Sequence, residues 1–162
     1  MNNSRLDESP QDRQNRHEYA FTYYFQRLQA DAAEINHTSG FSDTDAQLTE
    51  FEVQIKSLGT LEKYLPLFEQ FRNARAGLKL ALTTGEISEA LEAVRKNVGA
   101  DKHLPEFLAE ETEIADVIIR LMNYATDRHL RLAEAIVAKN NYNRTRHDHS
   151  KEHRATEHGK RF

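Results

Sequence analysis

Apolar residues in this chain recur every third or fourth position and never settle into alternation. Phe21, Tyr24, Phe25, Leu28, Ala32 and Ile35 fall on one face of a helix, and Leu48, Phe51, Ile55 and Leu58 on one face of the next. His37 to Gly40 separates the two, Ser42 is placed to cap the second, and Gly59 follows its end. Leu61, Tyr64, Leu65, Phe68 and Phe71 continue the period, with Pro66 marking a start or a kink. Leu80, Ile87, Leu91 and Val94 form the stripe of a helix predicted over 78–96. Ile114, Val117, Ile118, Leu121 and Ala125 form that of a helix predicted to open at Pro105. A last helix is predicted from Leu130 to about Tyr142, with Leu132, Ala135 and Ile136 on its apolar side. Such a pattern specifies an all-α chain of about five or six helices.

The chain's 162 residues suffice for one domain and one core. The polar, aperiodic residues 1–15 read as a disordered lead, 16–146 as a single helical domain, and 147–162 as a basic, His-rich tail. No apolar run is long enough to span a bilayer, and the polar N-terminus lacks the apolar centre of a secretory signal. The absence of cysteine removes disulfide and thiolate chemistry, so a cytoplasmic protein is expected. Charge is unevenly spread. From Lys139 to Phe162 there are seven Lys/Arg against three acids, while the chain as a whole carries a net −4. A basic end on an acidic body suits self-association, nucleic acid, or a phosphorylated ligand bridged by metal.

Two acidic runs stand out by position, Glu86-Ile-Ser-Glu89 and Glu113-Ile-Ala-Asp116. Carboxylates three apart on a helix lie about one turn apart and project on one face. The spacing alone is uninformative, because Asp31/Glu34 shares it. A solvated helix face is the plain alternative. Against it, both runs border apolar stripes, with Ile87 and Ala90 beside Glu86 and Ile114 and Val117 beside Glu113. Two such helices side by side would gather four carboxylates. Two like charges about 4 Å apart repel by roughly 4 kcal/mol at an effective dielectric near 20. A hard cation taking oxygen ligands, Mg²⁺ or Mn²⁺, offsets that repulsion. Gly85, inside the predicted helix, leaves room for close approach of a ligand or a neighbouring helix.

Other chemistries fit less well. A di-iron carboxylate bundle takes a Glu-x-x-His on each of two helices, and neither acidic run carries that histidine. There is no Gly-x-Ser-x-Gly elbow and no phosphate-cradling glycine loop. Any bound phosphate must be held by metal and by Lys or Arg. The chain's basic end supplies Lys139, Tyr142, Asn143, Arg144 and Arg146, then His158-Gly-Lys-Arg-Phe162. Arg grips phosphate bidentately, although a terminal basic tract is also an ordinary solvated end.

These residues resemble a family. Leu82-Thr-Thr-Gly-Glu-Ile-Ser-Glu-Ala-Leu-Glu92, then Glu113-Ile-Ala-Asp-Val-Ile-Ile119, then Lys139, Tyr142-Asn143, Thr145-Arg146 and His158-Gly-Lys-Arg-Phe162 are similar to MazG-like nucleoside triphosphate pyrophosphohydrolases. The resemblance covers about residues 78–162, with the family-like core at 78–146. It implies an all-α helical bundle assembled as a homodimer or homotetramer. It also implies Mg²⁺-dependent hydrolysis of a nucleoside triphosphate to the monophosphate and pyrophosphate, with Mn²⁺ an alternative metal. Glu86, Glu89, Glu113 and Asp116 are then the metal ligands. Glu86 and Glu89 are the catalytic acids, with Glu89 favoured as a doubly used ligand or proton acceptor. Lys139, Tyr142, Asn143, Arg146, Lys160 and Arg161 contact the substrate. Many members open the first motif with two adjacent acids, whereas Gly85 precedes Glu86 here. The 147–157 segment and the long N-terminal part also depart from the pattern.

The competing expectation is a non-catalytic helical module that binds a partner or nucleic acid through the basic tail, with no metal dependence and with salt-sensitive binding. Nucleic acid is the less expected partner of an acidic body, and no membrane role is expected, because no helix pairs an aromatic face with a basic one. The nucleotide base preferred is not encoded in any motif.

Overall fold

The computed structural model describes residues 9–59 and 62–146. Among these it contains α1 (Pro10–Thr38), α2 (Asp43–Leu58), α3 (Leu65–Arg95), α4 (Ala109–Asp127) and α5 (Leu132–Thr145), with one 3-10 turn, Glu62–Tyr64, before α3. A single antiparallel bridge between Ala100 and Leu108 is the only β feature among the described residues. The chain is therefore all-α, as its periodicity requires. No described helix is long and apolar enough to cross a membrane.

Local chemistry sets the helix ends. α1 begins at Pro10, within the stretch read as a disordered lead, because Ser9 caps it. The Ser9 hydroxyl accepts from the Asp12 amide at 3.1 Å and donates to the Asp12 carboxylate at 2.7 Å, and Pro10 occupies the first turn. Gly40, at φ +76°, turns the chain after α1, and Gly59, at φ +64°, follows α2. Ser42 does not cap α2 with its side chain; its hydroxyl lies 3.3 Å from the His37 ring instead.

Pro66 opens α3, where its missing N–H costs nothing, and the helix then runs unbroken through Gly77 and Gly85. The stretch expected to begin at Leu78 is thus the second half of a longer helix. Pro105 does not open α4. It sits in the connection, where the Phe107 amide donates to the Leu104 carbonyl at 2.9 Å. α4 starts at Ala109, where the Glu111 carboxylate accepts from the Leu108 amide at 2.7 Å.

The chain forms two compact units, one of residues 1–28 with 131–162 and one of 29–130, so the boundary falls within α1. In the first, the start of α1 runs antiparallel to α5. Asn141 donates to Glu18 at 2.9 Å and Gln26 donates to Glu134 at 3.1 Å. In the second, α3 and α4 pair as an antiparallel hairpin. Lys79 meets Asp127 and Glu86 meets Arg120, so partners two turns apart on one helix are two turns apart, in reverse order, on the other. α2 joins this hairpin through Phe51 and Phe68, whose rings meet edge-on at 5.5 Å, and through Asp45, which accepts from Arg75 and Lys79.

The hairpin buries small and slender side chains: Thr83 and Ala93 on α3, Met122 and Ala125 on α4. The stripe expected to be buried on α3 is not. Ile87, Leu91 and Val94 are more exposed than buried, as is Ile114 on α4. Close helix approach on Ala and Thr leaves the larger residues outside the seam.

Candidate functional site

The turn between α3 and α4 is built around Asp101. One of its carboxylate oxygens accepts from the His103 and Leu104 amides at 2.7 and 2.8 Å, and the other accepts from the Thr112 hydroxyl at 3.1 Å. The Asp101 amide donates to the Phe107 carbonyl at 2.8 Å and the Ala109 amide to the Gly99 carbonyl at 3.0 Å, closing the turn. The Leu104 and His103 amides hold the Asp101 carboxyl below the ordinary range, so it stays charged beside the start of α4.

Antiparallel register then brings the two acidic runs together. Glu86, Glu89 and Glu113 each offer a carboxylate oxygen, and the three oxygens lie within 4.8 Å of one another. Glu86 and Glu113 are half-buried and Glu89 is exposed. Asp116 stands outside this group of three and is exposed, one turn along α4. Its charge still reaches Glu113. Burial raises the Glu113 carboxyl above its usual range, and the charges of Glu89, Glu86, Asp116 and Asp101 raise it further. One cation faces the cluster from α4: Arg120 pairs with Glu86 at 2.5 Å. Among the described residues, neither Glu89 nor Glu113 has an ion-pair partner.

The donor set fits a hard divalent cation. It is all oxygen, it is anionic beyond what one Arg offsets, and its ligand atoms converge from two rigid helices. Asp101 and Arg120 were not foreseen from the sequence. Asp101 carries the signature of a side chain folding its own turn. Arg120 could be found only once the helix register was known.

The expected substrate contacts belong to the other unit. On α5, the Lys139 ammonium lies 5.1 Å from the Tyr142 ring centroid, and the Arg146 guanidinium lies 5.7 Å from the same ring. Tyr142 thus gathers two cations. Asn143 is half-buried, and its side-chain oxygen is enclosed without a hydrogen-bond partner. Lys160 and Arg161 lie outside the described residues. The same unit holds a groove of about 400 Å³ between α1 and α5, lined by Arg13, His17, Phe21, Asn140 and Arg144 among others. Sequence periodicity gave no sign of it. Gln14 and Asn141 hydrogen bonds to Glu18, more than the Arg144 charge, hold that carboxyl below its usual range.

No family model, no curated protein and no solved structure matches the chain.

Proposed function

We propose that this protein is a divalent-metal-dependent pyrophosphohydrolase of the MazG-like kind. It would convert a nucleoside triphosphate to the monophosphate and pyrophosphate. The observation that carries the reading is the convergence of Glu86, Glu89 and Glu113 from two antiparallel helices to within 4.8 Å. Glu86, Glu89 and Glu113 hold Mg²⁺, or Mn²⁺, with Asp116 on the open side of the same α4 face. The ion supplies Lewis-acid polarisation of a phosphoryl oxygen. Glu89, the exposed member of the three, keeps an oxygen open to solvent and accepts the proton of the attacking water. Lys139 and Arg146, steered by Tyr142, take the anionic charge of the ligand.

We also propose that the working form is a homodimer or homotetramer. The exposed Ile87, Leu91, Val94 and Ile114 form an apolar border to the acids that a single hairpin leaves in water. A stable association of this kind buries about 800 Å² per partner. Light scattering coupled to size exclusion reads the assembly directly.

The deciding experiment is release of pyrophosphate from a panel of ribo- and deoxynucleoside triphosphates with and without Mg²⁺. Glu86→Gln is expected to lower the rate on the order of 100-fold or more, as loss of a metal ligand should. Full activity in both Glu86→Gln and Asp116→Asn overturns the site. A chain that releases no pyrophosphate but binds a partner in a salt-sensitive manner is the interaction module instead.

A further inference from the structure

Glu86 and Arg120 form the only ion pair printed onto the three-carboxylate cluster among the described residues, and the pair is asymmetric. The Glu86 side chain is 12% exposed and that of Arg120 is 44% exposed, so the guanidinium reaches across from α4 and covers the carboxylate. The contact is made through one oxygen, Oε1, and a carboxylate has two. Arg120 lies two turns beyond Glu113 on α4, and therefore on the same face of that helix. The fold has other means of holding α3 to α4. Thr83, Ala93, Met122 and Ala125 are buried, and Lys79 bridges to Asp127. What the pair decides is where the Glu86 carboxylate points.

We infer that Arg120 is a positioning residue for the proposed metal site, holding Glu86 by one oxygen so that the other is aimed at a divalent cation shared with Glu89 and Glu113. This rests on the metal-binding reading above. An ammonium in place of the guanidinium restores the charge but not the planar fork, so a lysine there serves less well. Outer partners that orient ligating carboxylates contribute on the order of 10- to 100-fold to metal affinity.

Calorimetric titration of the full chain with Mn²⁺, free of nucleotide, tests this. Arg120→Gln is expected to weaken Mn²⁺ binding by about 10-fold or more, and Arg120→Lys to recover part of the loss. In a Glu86→Gln background, Arg120→Gln is expected to add little, because its effect passes through Glu86. Metal-free thermal melts of each variant run alongside. A lowered melting midpoint with unchanged Mn²⁺ affinity makes the pair a helix-to-helix tie and overturns the inference. Tighter Mn²⁺ binding in Arg120→Gln makes Arg120 a competitor of the metal and also overturns it. If the unaltered chain binds no Mn²⁺, this inference and the metal reading both fall. If Glu86→Gln weakens binding and Arg120→Gln does not, this inference alone falls.

Discussion

The ammonium of Lys79 donates to the carboxylate of Asp127 at 2.5 Å, tying the middle of α3 to the last turn of α4. Lys79 also donates to Asp45 on α2, and Asp45 accepts from Arg75 at 2.5 Å. One lysine therefore joins three helices of the second unit. Its side chain is 25% exposed, between a surface pair and a buried one.

Lys79→Met is expected to destabilise the chain by about 1–2 kcal/mol. That lies above an exposed pair and below a fully buried one, because two acids lose their shared partner. Thermal unfolding should show a midpoint lower by a few degrees. An unchanged midpoint would mean that the bridge is solvated and contributes nothing.

The same network sets a pH window. The Arg75 hydrogen bond holds the Asp45 carboxyl below its ordinary 3.8, against burial and helped by Lys79. A depressed carboxyl contributes stability above its unfolded value and loses it as pH falls through the folded value. For Lys79, burial lowers the ammonium, and Asp127 and Asp45 together more than offset it, so its value lies above the ordinary 10.5. That contribution is complete below 10.5 and is lost as pH rises through the folded value. Urea unfolding from pH 2 to 7 should therefore show an acid limb that Asp45→Asn flattens.

Glu113 acts in the opposite sense. Its carboxyl is raised above the ordinary 4.5 by burial first and then by Glu89 and Glu86. The folded chain binds that proton more tightly than the unfolded one, so stability falls as pH rises from 4.5 through the folded value. Glu113→Gln is expected to raise the melting midpoint of the metal-free chain at pH 7 and to abolish any stabilisation by added Mg²⁺. A lower metal-free midpoint contradicts the repulsion that the cluster implies.

A Cβ added at Gly85 meets nothing within 4 Å. Gly85→Ala is therefore expected to stabilise a lone chain by about 1 kcal/mol, raising its midpoint by about 2–4 °C. A fall instead, accompanied by loss of assembly in light scattering, places a second copy against this turn of α3.

Much of this architecture is local chemistry. The three-to-four spacing from Phe21 to Ile136 specifies helices because only a 3.6-residue period gathers those side chains on one face. Glu86 and Glu89 share a face of α3 for the same reason, as do Glu113 and Asp116 on α4. Other local signals were present and outweighed by periodicity. Ser9-Pro-Gln-Asp12 spells the start of α1, and Leu108 with Glu111 spells the start of α4, where Pro105 drew attention to the wrong turn.

Contacts between helices follow a different rule. A helix face can meet its neighbour at several registers one turn apart, and nothing in a stripe of Ile and Leu selects among them. Here the Asp101-centred turn and the Lys79–Asp127 bridge select one, and Ala93 and Ala125 let the backbones close. That choice gathers three acids rather than four, leaving Asp116 at the edge, and sets Arg120 on Glu86. It also turns Ile87, Leu91 and Val94 outward. Composition and periodicity alone thus determined that the chain is helical and that its acids come in paired turns. Only the tertiary register decided which acids meet and which cation covers them, because hydrophobic burial is non-directional and the partners of a charge are not.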